Sequence, residues 1–291
     1  MQFAMVPMNL LGAGTLSTYI ITGAWSKAAA KEALRFGRVQ SAFSGSGNRI
    51  PADEELEVIP ETSYCAYCDN ETIHGIEFER VPVLKDAEAV PLVADMTSNF
   101  LTRPVDVNKF GLFYASAQKN LGIAGLAVIV LRRDLLGLAG TEVPTLLNYS
   151  VYSRTDSVPN TPPVFQLYVA NLMAQWIEAH GGVAVMDEYA RARAKIVYDA
   201  IDAMPEMYVS HVERESRSRV NAVFRLKDEA LTALFVKEAA EAGLANLAGH
   251  RAVGGIRASM YNAMPIEGVQ KLADFMKTFA HRHGRTQSAV N

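Results

Sequence analysis

Lys119 stands where an amine could be activated. Phe113-Tyr114-Ala115-Ser116 leads up to it, Gln118-Lys119-Asn120-Leu121-Gly122 contains it, and an apolar run at 126–131 follows. That pattern predicts a buried strand, a polar turn and a second buried strand. Ala115, Ser116, Ala117, Gly122, Ala124 and Gly125 leave room around the lysine, as if something flat and bulky docks there. Most lysines are surface charges. One held in such a space can lose its proton and attack a carbonyl, forming an imine. Trp25, Thr72, Asp95 and Gln118 also follow runs that read as strands.

The elements that must position these groups alternate between strand and helix. Residues 18–22 form a β-rich run, followed by a helical stretch at 26–36 with Ser26 as its candidate cap. Residues 41–51 read as a Gly- and Ser-rich loop. Strands are expected at 64–67 and 90–94, and a long loop after 131 runs to Asn160-Thr161-Pro162-Pro163. A helix at 165–179 should stop at Gly181-Gly182. The texture then changes, with helices at 186–203, 231–242 and 266–281 and strands at 220–226 and 256–260. The N-terminal residues 1–11 are helix-compatible only up to Pro7. The expected architecture is α/β: a large domain at 1–182 with a mainly parallel sheet and helices on both faces, and a smaller α/β domain at 183–291.

Composition narrows the function classes. Hydrophobic residues make up 49% of the 291, enough for a sizeable core, and Lys+Arg of 28 against Asp+Glu of 31 leaves a charge of only −3. Without a block of like charge, nucleic acid and membrane surfaces are poor partners. No basic residue precedes Lys27 and no apolar run is long enough to span a bilayer as a helix, so a cytoplasmic protein is expected. The two cysteines form Cys65-x-x-Cys68. On a strand, residues three apart face opposite sides, so these thiols should not meet, and no metal site is expected.

In α/β sheets, ligand-binding groups gather beyond the strand ends. An aromatic face, a hydroxyl, a carboxylate, an amide and an amine all at such positions match what a pyridoxal phosphate site requires. Singly each has a plainer reading: Asp95 as a helix cap, Trp25 as a core or interface residue, Thr72 as a turn residue. Their shared placement gives the set its meaning.

Longer motifs sharpen it. Cys68-Asp69-Asn70-Glu71-Thr72-Ile73-His74-Gly75, Ala94-Asp95-Met96-Thr97-Ser98, Arg103-Pro104, Ala117-Gln118-Lys119-Asn120, Asn160-Thr161-Pro162-Pro163, Gly249-His250-Arg251 and the stretch 254–265 resemble the phosphoserine aminotransferases, class V, fold-type I pyridoxal phosphate enzymes. The resemblance runs from Phe3 to Gly284. It implies transamination between glutamate and 3-phosphohydroxypyruvate in serine synthesis, and leaves room in bacteria for a related vitamin B6 intermediate as second substrate. It also implies Lys119 as the imine lysine, Asp95 as partner of the pyridinium, Trp25 as the stacking ring and Thr72 as a donor to the cofactor ring. Gln118 would hold the cofactor phosphate together with Asn160 and Thr161 of a neighbouring subunit, making a homodimer with shared sites. Arg257 would clamp the substrate carboxylate, and His250 and Arg251 its phosphate; read alone, His250-Arg251 favours a solvated loop.

The family pattern also includes a preceding segment of several tens of residues, with a His-Arg pair and a glycine-rich phosphate turn. The chain matches the family only from just past that turn. Weak cofactor binding is therefore expected, with Phe3, Val6 and Leu10 presented to water. Two other readings compete: another class V aminotransferase or lyase, against which His250-Arg251 speaks, and a truncated, cofactor-poor homologue with weak or no catalysis that only dimerises or does nothing.

Overall fold

Parallel strands make up most of the central sheet. The computed structural model describes residues 1–12 and 14–284. Its large sheet comprises β1 (Leu16–Ile21), β2 (Arg38–Ser44), β3 (Cys65–Cys68), β6 (Leu92–Asp95), β7 (Leu112–Ser116) and β8 (Ala127–Leu131), in the order β2-β1-β3-β6-β7-β8. Every pairing is parallel except β7 with β8. A two-stranded ribbon, β4 (Asn70–Glu71) with β5 (Ile76–Glu77), lies just beyond the end of β3.

Side chains alternate along these strands with period two, which supplies two cores from one sheet. Tyr19, Tyr64, Ala66, Val93, Leu112 and Tyr114 share one cluster with Met5, Val6 and Leu10 of α1 (Gln2–Leu10) and Ala30 and Ala33 of α2 (Ala24–Ala33). Ile20, Cys65, Tyr67, Leu92, Ala94 and Phe113 form the other, completed by residues such as Leu56, Phe78, Leu84 and Phe110 from irregular segments. At the β8 edge, Ala170 of α4 (Val164–Ala179) packs with Ala117, Leu121 and half-buried Phe100 and Val128. The two free cysteines obey the same alternation, Cys65 packing in the second cluster while Cys68 lines a cleft. Burial alone pushes the Cys65 thiol up to about 12.

A second sheet, β9 (Tyr208–Val209), β10 (Asn221–Leu226) and β11 (Ile256–Ser259), is antiparallel in the order β11-β10-β9. It has its own core with α5 (Gly182–Asp202), α6 (Thr232–Glu241) and α7 (Ile266–His283), centred on Phe224, Phe235 and Phe279.

Several local expectations need correction. Residues 38–44 form a strand, so 41–44 are not the start of a loop. As an edge strand it buries only Ala42, so no apolar alternation marks it. Pro7 lies inside α1, because burying Met5, Val6 and Leu10 outweighs the hydrogen bond that proline removes. Val6 and Leu10 are therefore core residues rather than exposed ones, and only Phe3 stays partly open. Ser26 is not the cap of α2 but its third residue, its Oγ accepting from the Thr22 and Gly23 N–H groups. Gly182 opens α5 instead of ending α4, which leaves only His180 and left-handed Gly181 between the two helices. The long loop contains α3 (Tyr149–Arg154), capped by Asn148. β8 is half-exposed, as an edge strand is.

Buried charges tie the ribbon to the second sheet. Arg219, before β10, donates to Glu77 of β5 from its backbone N at 2.8 Å and from Nη2 at 2.8 Å, and also pairs with Asp187 of α5. Glu77 is almost completely buried, so removing its partner strands a carboxylate away from water. Arg219→Met should lower unfolding free energy by about 3–5 kcal/mol in urea denaturation. A loss below about 1 kcal/mol, typical of an exposed pair, would show the bridge to be dispensable.

Candidate active site

Four parallel strands, β1, β3, β6 and β7, end on one edge of the large sheet, and the segments following them enclose a cleft of about 210 Å³. Its walls include Trp25, Thr72, Asp95, Gln118 and Lys119, five residues expected from the sequence. Met1, Gln2 and Phe3 of the first turn of α1 border it, as do Cys68, Asn70, Thr97, Ser98, Tyr114 and Ser116. A smaller space beneath it, reaching Tyr19, Ser26 and Val93, shares Trp25, Cys68, Asp95 and Tyr114 with the cleft.

Lys119 sits on the turn between β7 and β8, as the sequence suggested. Its Nζ donates to Thr72 Oγ1 at 2.8 Å and lies 5.9 Å from the centre of the Tyr261 ring. The next residue anchors the turn. Asn120 is buried, its Oδ1 accepting from the Asn262 N–H at 3.0 Å and its Nδ2 donating to the Ser98 carbonyl at 3.2 Å. Gln118 is exposed and lines the cleft.

Asp95 is the last residue of β6. Burial pushes its carboxyl above the usual carboxylate range, an effect opposed by the Thr97 hydrogen bonds, by the Lys119 charge and by Tyr114. Its Oδ1 accepts from the Thr97 N–H at 2.9 Å, and Thr97 Oγ1 accepts from the Ser116 N–H at 3.2 Å, fastening the ends of β6 and β7 together. A recessed carboxyl of this kind is poised to take a cationic partner.

Trp25 occupies the first turn of α2, 40% exposed, with its ring 6.4 Å from that of Phe3. The helix start is held from outside. Glu71 accepts from the Trp25 N–H at 2.9 Å, from the Ser26 N–H at 2.8 Å and from Ser26 Oγ at 2.6 Å. Asn70, beside it, donates to Ser98 Oγ at 2.7 Å and to Asn221 Oδ1 at 2.8 Å, and accepts from Ser218 Oγ at 2.6 Å. Glu71, Asn70 and Asn120 all lie within motifs visible in the sequence, but their partners are distant in the chain and nothing local reveals them.

The remaining expected residues are not among those lining the cleft. Arg257 lies half-buried on β11 opposite Val223. His250 and Arg251 occupy the loop before β11, where His250 Nδ1 accepts from the Ala252 N–H at 3.2 Å. His74, after Thr72, receives the Ala24 N–H at 3.4 Å; burial lowers its basicity, helped by His211 and His250 nearby. Asn160 and Thr161 are exposed on the approach to α4.

The aminotransferase class-V family matches residues 1–272. The chain is 45% identical over 287 residues to the phosphoserine aminotransferase of Chromobacterium violaceum, covering 98% of this chain and 79% of that protein. It is 47% identical to that of Laribacter hongkongensis, covering 97% and 79%. Among solved structures, the phosphoserine aminotransferase of Bacillus circulans subsp. alkalophilus superposes with a TM-score of 0.93 at 41% identity, over 97% of this chain and 78% of that one. The PLP-bound phosphoserine aminotransferase of Trichomonas vaginalis gives 0.88 at 39% identity, over 95% and 79%. With matches of this extent to both sequence and fold, the chain belongs to the class-V aminotransferase family.

Proposed function

We propose that the protein is a pyridoxal phosphate-dependent phosphoserine aminotransferase, moving an amino group from glutamate to 3-phosphohydroxypyruvate. The observation that carries this reading is the meeting, in one cleft, of an amine hydrogen-bonded to a hydroxyl, a recessed carboxyl and an indole wall. The donor set fits the cofactor. Asp95 offers an anion to a ring nitrogen, Trp25 a face for an aromatic ring, Thr72 a hydroxyl and Lys119 an amine for an aldehyde. When bound, pyridoxal phosphate supplies an electron sink for the substrate α-carbon.

The protein's own groups do the rest. The Thr72 hydroxyl holds Lys119 Nζ in place, and Nζ carries the proton taken from the substrate α-carbon. Asp95, charged beside a cationic partner, keeps a proton on that partner's nitrogen. The Arg257 guanidinium grips a carboxylate bidentately, and His250 and Arg251 donate hydrogen bonds to the substrate phosphate. Gln118, at the cleft margin, would hold the cofactor phosphate.

Asn160 and Thr161 complete that phosphate site in a homodimer, each serving the other copy. An apolar stripe supports this arrangement. Val164, Phe165, Tyr168 and Leu172 stand exposed on α4, directly after Asn160-Thr161, with Phe165 65% and Tyr168 57% open. Such a contiguous patch on a surface helix marks an interaction face. The separate cores of the two sheets support a division into a cofactor-binding domain at 1–182 and a smaller one at 183–291. Among the described residues no helix is long and apolar enough to cross a membrane, and both cysteines are free thiols, which fits a cytoplasmic enzyme.

Borohydride reduction of the cofactor-loaded protein, followed by peptide mapping, should mark Lys119; a mark on another lysine refutes its assignment. Asp95→Asn should leave folding intact and lower turnover by about 10²–10³-fold, as expected when a buried charge contact to the reacting system is lost. Turnover close to that of the parent would remove Asp95 from the role. Mixing Lys119→Ala with an Asn160→Ala, Thr161→Ala double variant, each inactive alone, should restore partial activity through heterodimers. Heterodimers that form without activity would mean that each site is built within one chain.

A further inference from the structure

We propose that Glu71 is a positioning residue that sets the place of Trp25 in the cleft, an inference that rests on the pyridoxal phosphate reading above. Glu71 is fully buried, yet it reaches neither the cleft nor the reacting atoms in this reading. Its carboxylate is spent on the first turn of α2, taking the backbone N–H groups of Trp25 and Ser26 and the Ser26 hydroxyl. A helix start leaves its first N–H groups unpaired and carries partial positive charge, normally met by a capping side chain. The cap position here is Gly23, which has none. Glu71, from β4, provides the cap from another part of the chain.

The fit is close. A Cβ on Gly23 would lie 2.6 Å from the Glu71 carboxyl carbon, so the glycine is what lets the carboxylate approach. Gly23 is extended (φ −169°), so the restriction comes from contact and not from backbone strain. Glu71 also adjoins Thr72, whose hydroxyl receives Lys119 Nζ at 2.8 Å. Two consecutive residues therefore fix two walls of the cleft: the Glu71 side chain sets the indole and the Thr72 side chain sets the amine. A shift of the β4 turn would move both together.

The chain has two tryptophans, Trp25 and Trp176, so Trp176→Phe leaves Trp25 as the sole indole emitter. In that parent, Glu71→Gln keeps the side-chain shape but turns an NH2 group toward one of the backbone N–H donors. Its cofactor-free form should show a red-shifted Trp25 emission and stronger iodide quenching. Titration with pyridoxal phosphate, followed by quenching of the same emission, should give a dissociation constant raised roughly three- to tenfold, the scale of a lost aromatic stack. A purely structural role would lower the melting temperature but leave Trp25 emission, iodide access and cofactor affinity unchanged below it. That result overturns the inference. If Glu71→Gln does not fold, Gly23→Ala displaces the carboxylate by contact and is read in the same way. A parent that takes up no pyridoxal phosphate overturns the functional reading, and the Glu71 inference with it. A parent that binds, beside variants indistinguishable from it, overturns the inference alone.

Discussion

Parallel alignment of β1, β3, β6 and β7 is the constraint on which the site depends. In a parallel sheet each strand's carbonyl end lies on the same edge, so whatever follows each strand arrives at one place. Trp25 comes shortly after β1, Thr72 after β3, Asp95 at the end of β6 and Lys119 after β7. These residues span 95 positions of chain but share one cleft because the backbone ladder fixes where each strand stops. The alternation along the strands then settles the rest. Inward residues on one face pack under α1 and α2, and the opposite face closes with loop residues and α4, leaving the strand ends as the accessible edge.

Buried side-chain hydrogen bonds brace the edge. Asn70 joins Ser98 to Asn221 and Ser218, Asn120 joins Ser98 to Asn262, and Arg219 joins Glu77 to Asp187. Asp69 receives both contacts of Arg103 Nη2, at 2.9 and 2.7 Å. Each buried polar group lacking its partner would cost about 1–3 kcal/mol, so the network admits few alternative arrangements. It runs from the segment after β3 through the segment after β6 to β10 and the segment after β11. The strand carrying Arg257 is thereby held relative to the turn carrying Lys119. Charge and position are coupled in the same way at Glu71, where a carboxylate raised by burial is balanced by the Ser26 and Trp25 groups it accepts from.

The strand–turn–strand around Lys119 is legible in the sequence, as are the ends of β3 and β6, with Asp95 closing β6 and Thr72 following β3. Apolar runs bounded by polar turns are local signals, and burial of those runs is what forms the strands. Also legible are the opposed directions of Cys65 and Cys68, since period two is a property of any strand. Edge strand β2 was illegible because an exposed polar strand carries no apolar alternation, and Pro7 marked a break that tertiary packing overrode. That Glu71 caps α2, that Asn120 meets Asn262 and that Arg219 meets Glu77 follows from packing between distant segments. These partners lie 45 to 142 positions apart, and a buried hydrogen bond at that separation leaves no periodicity in the chain to read.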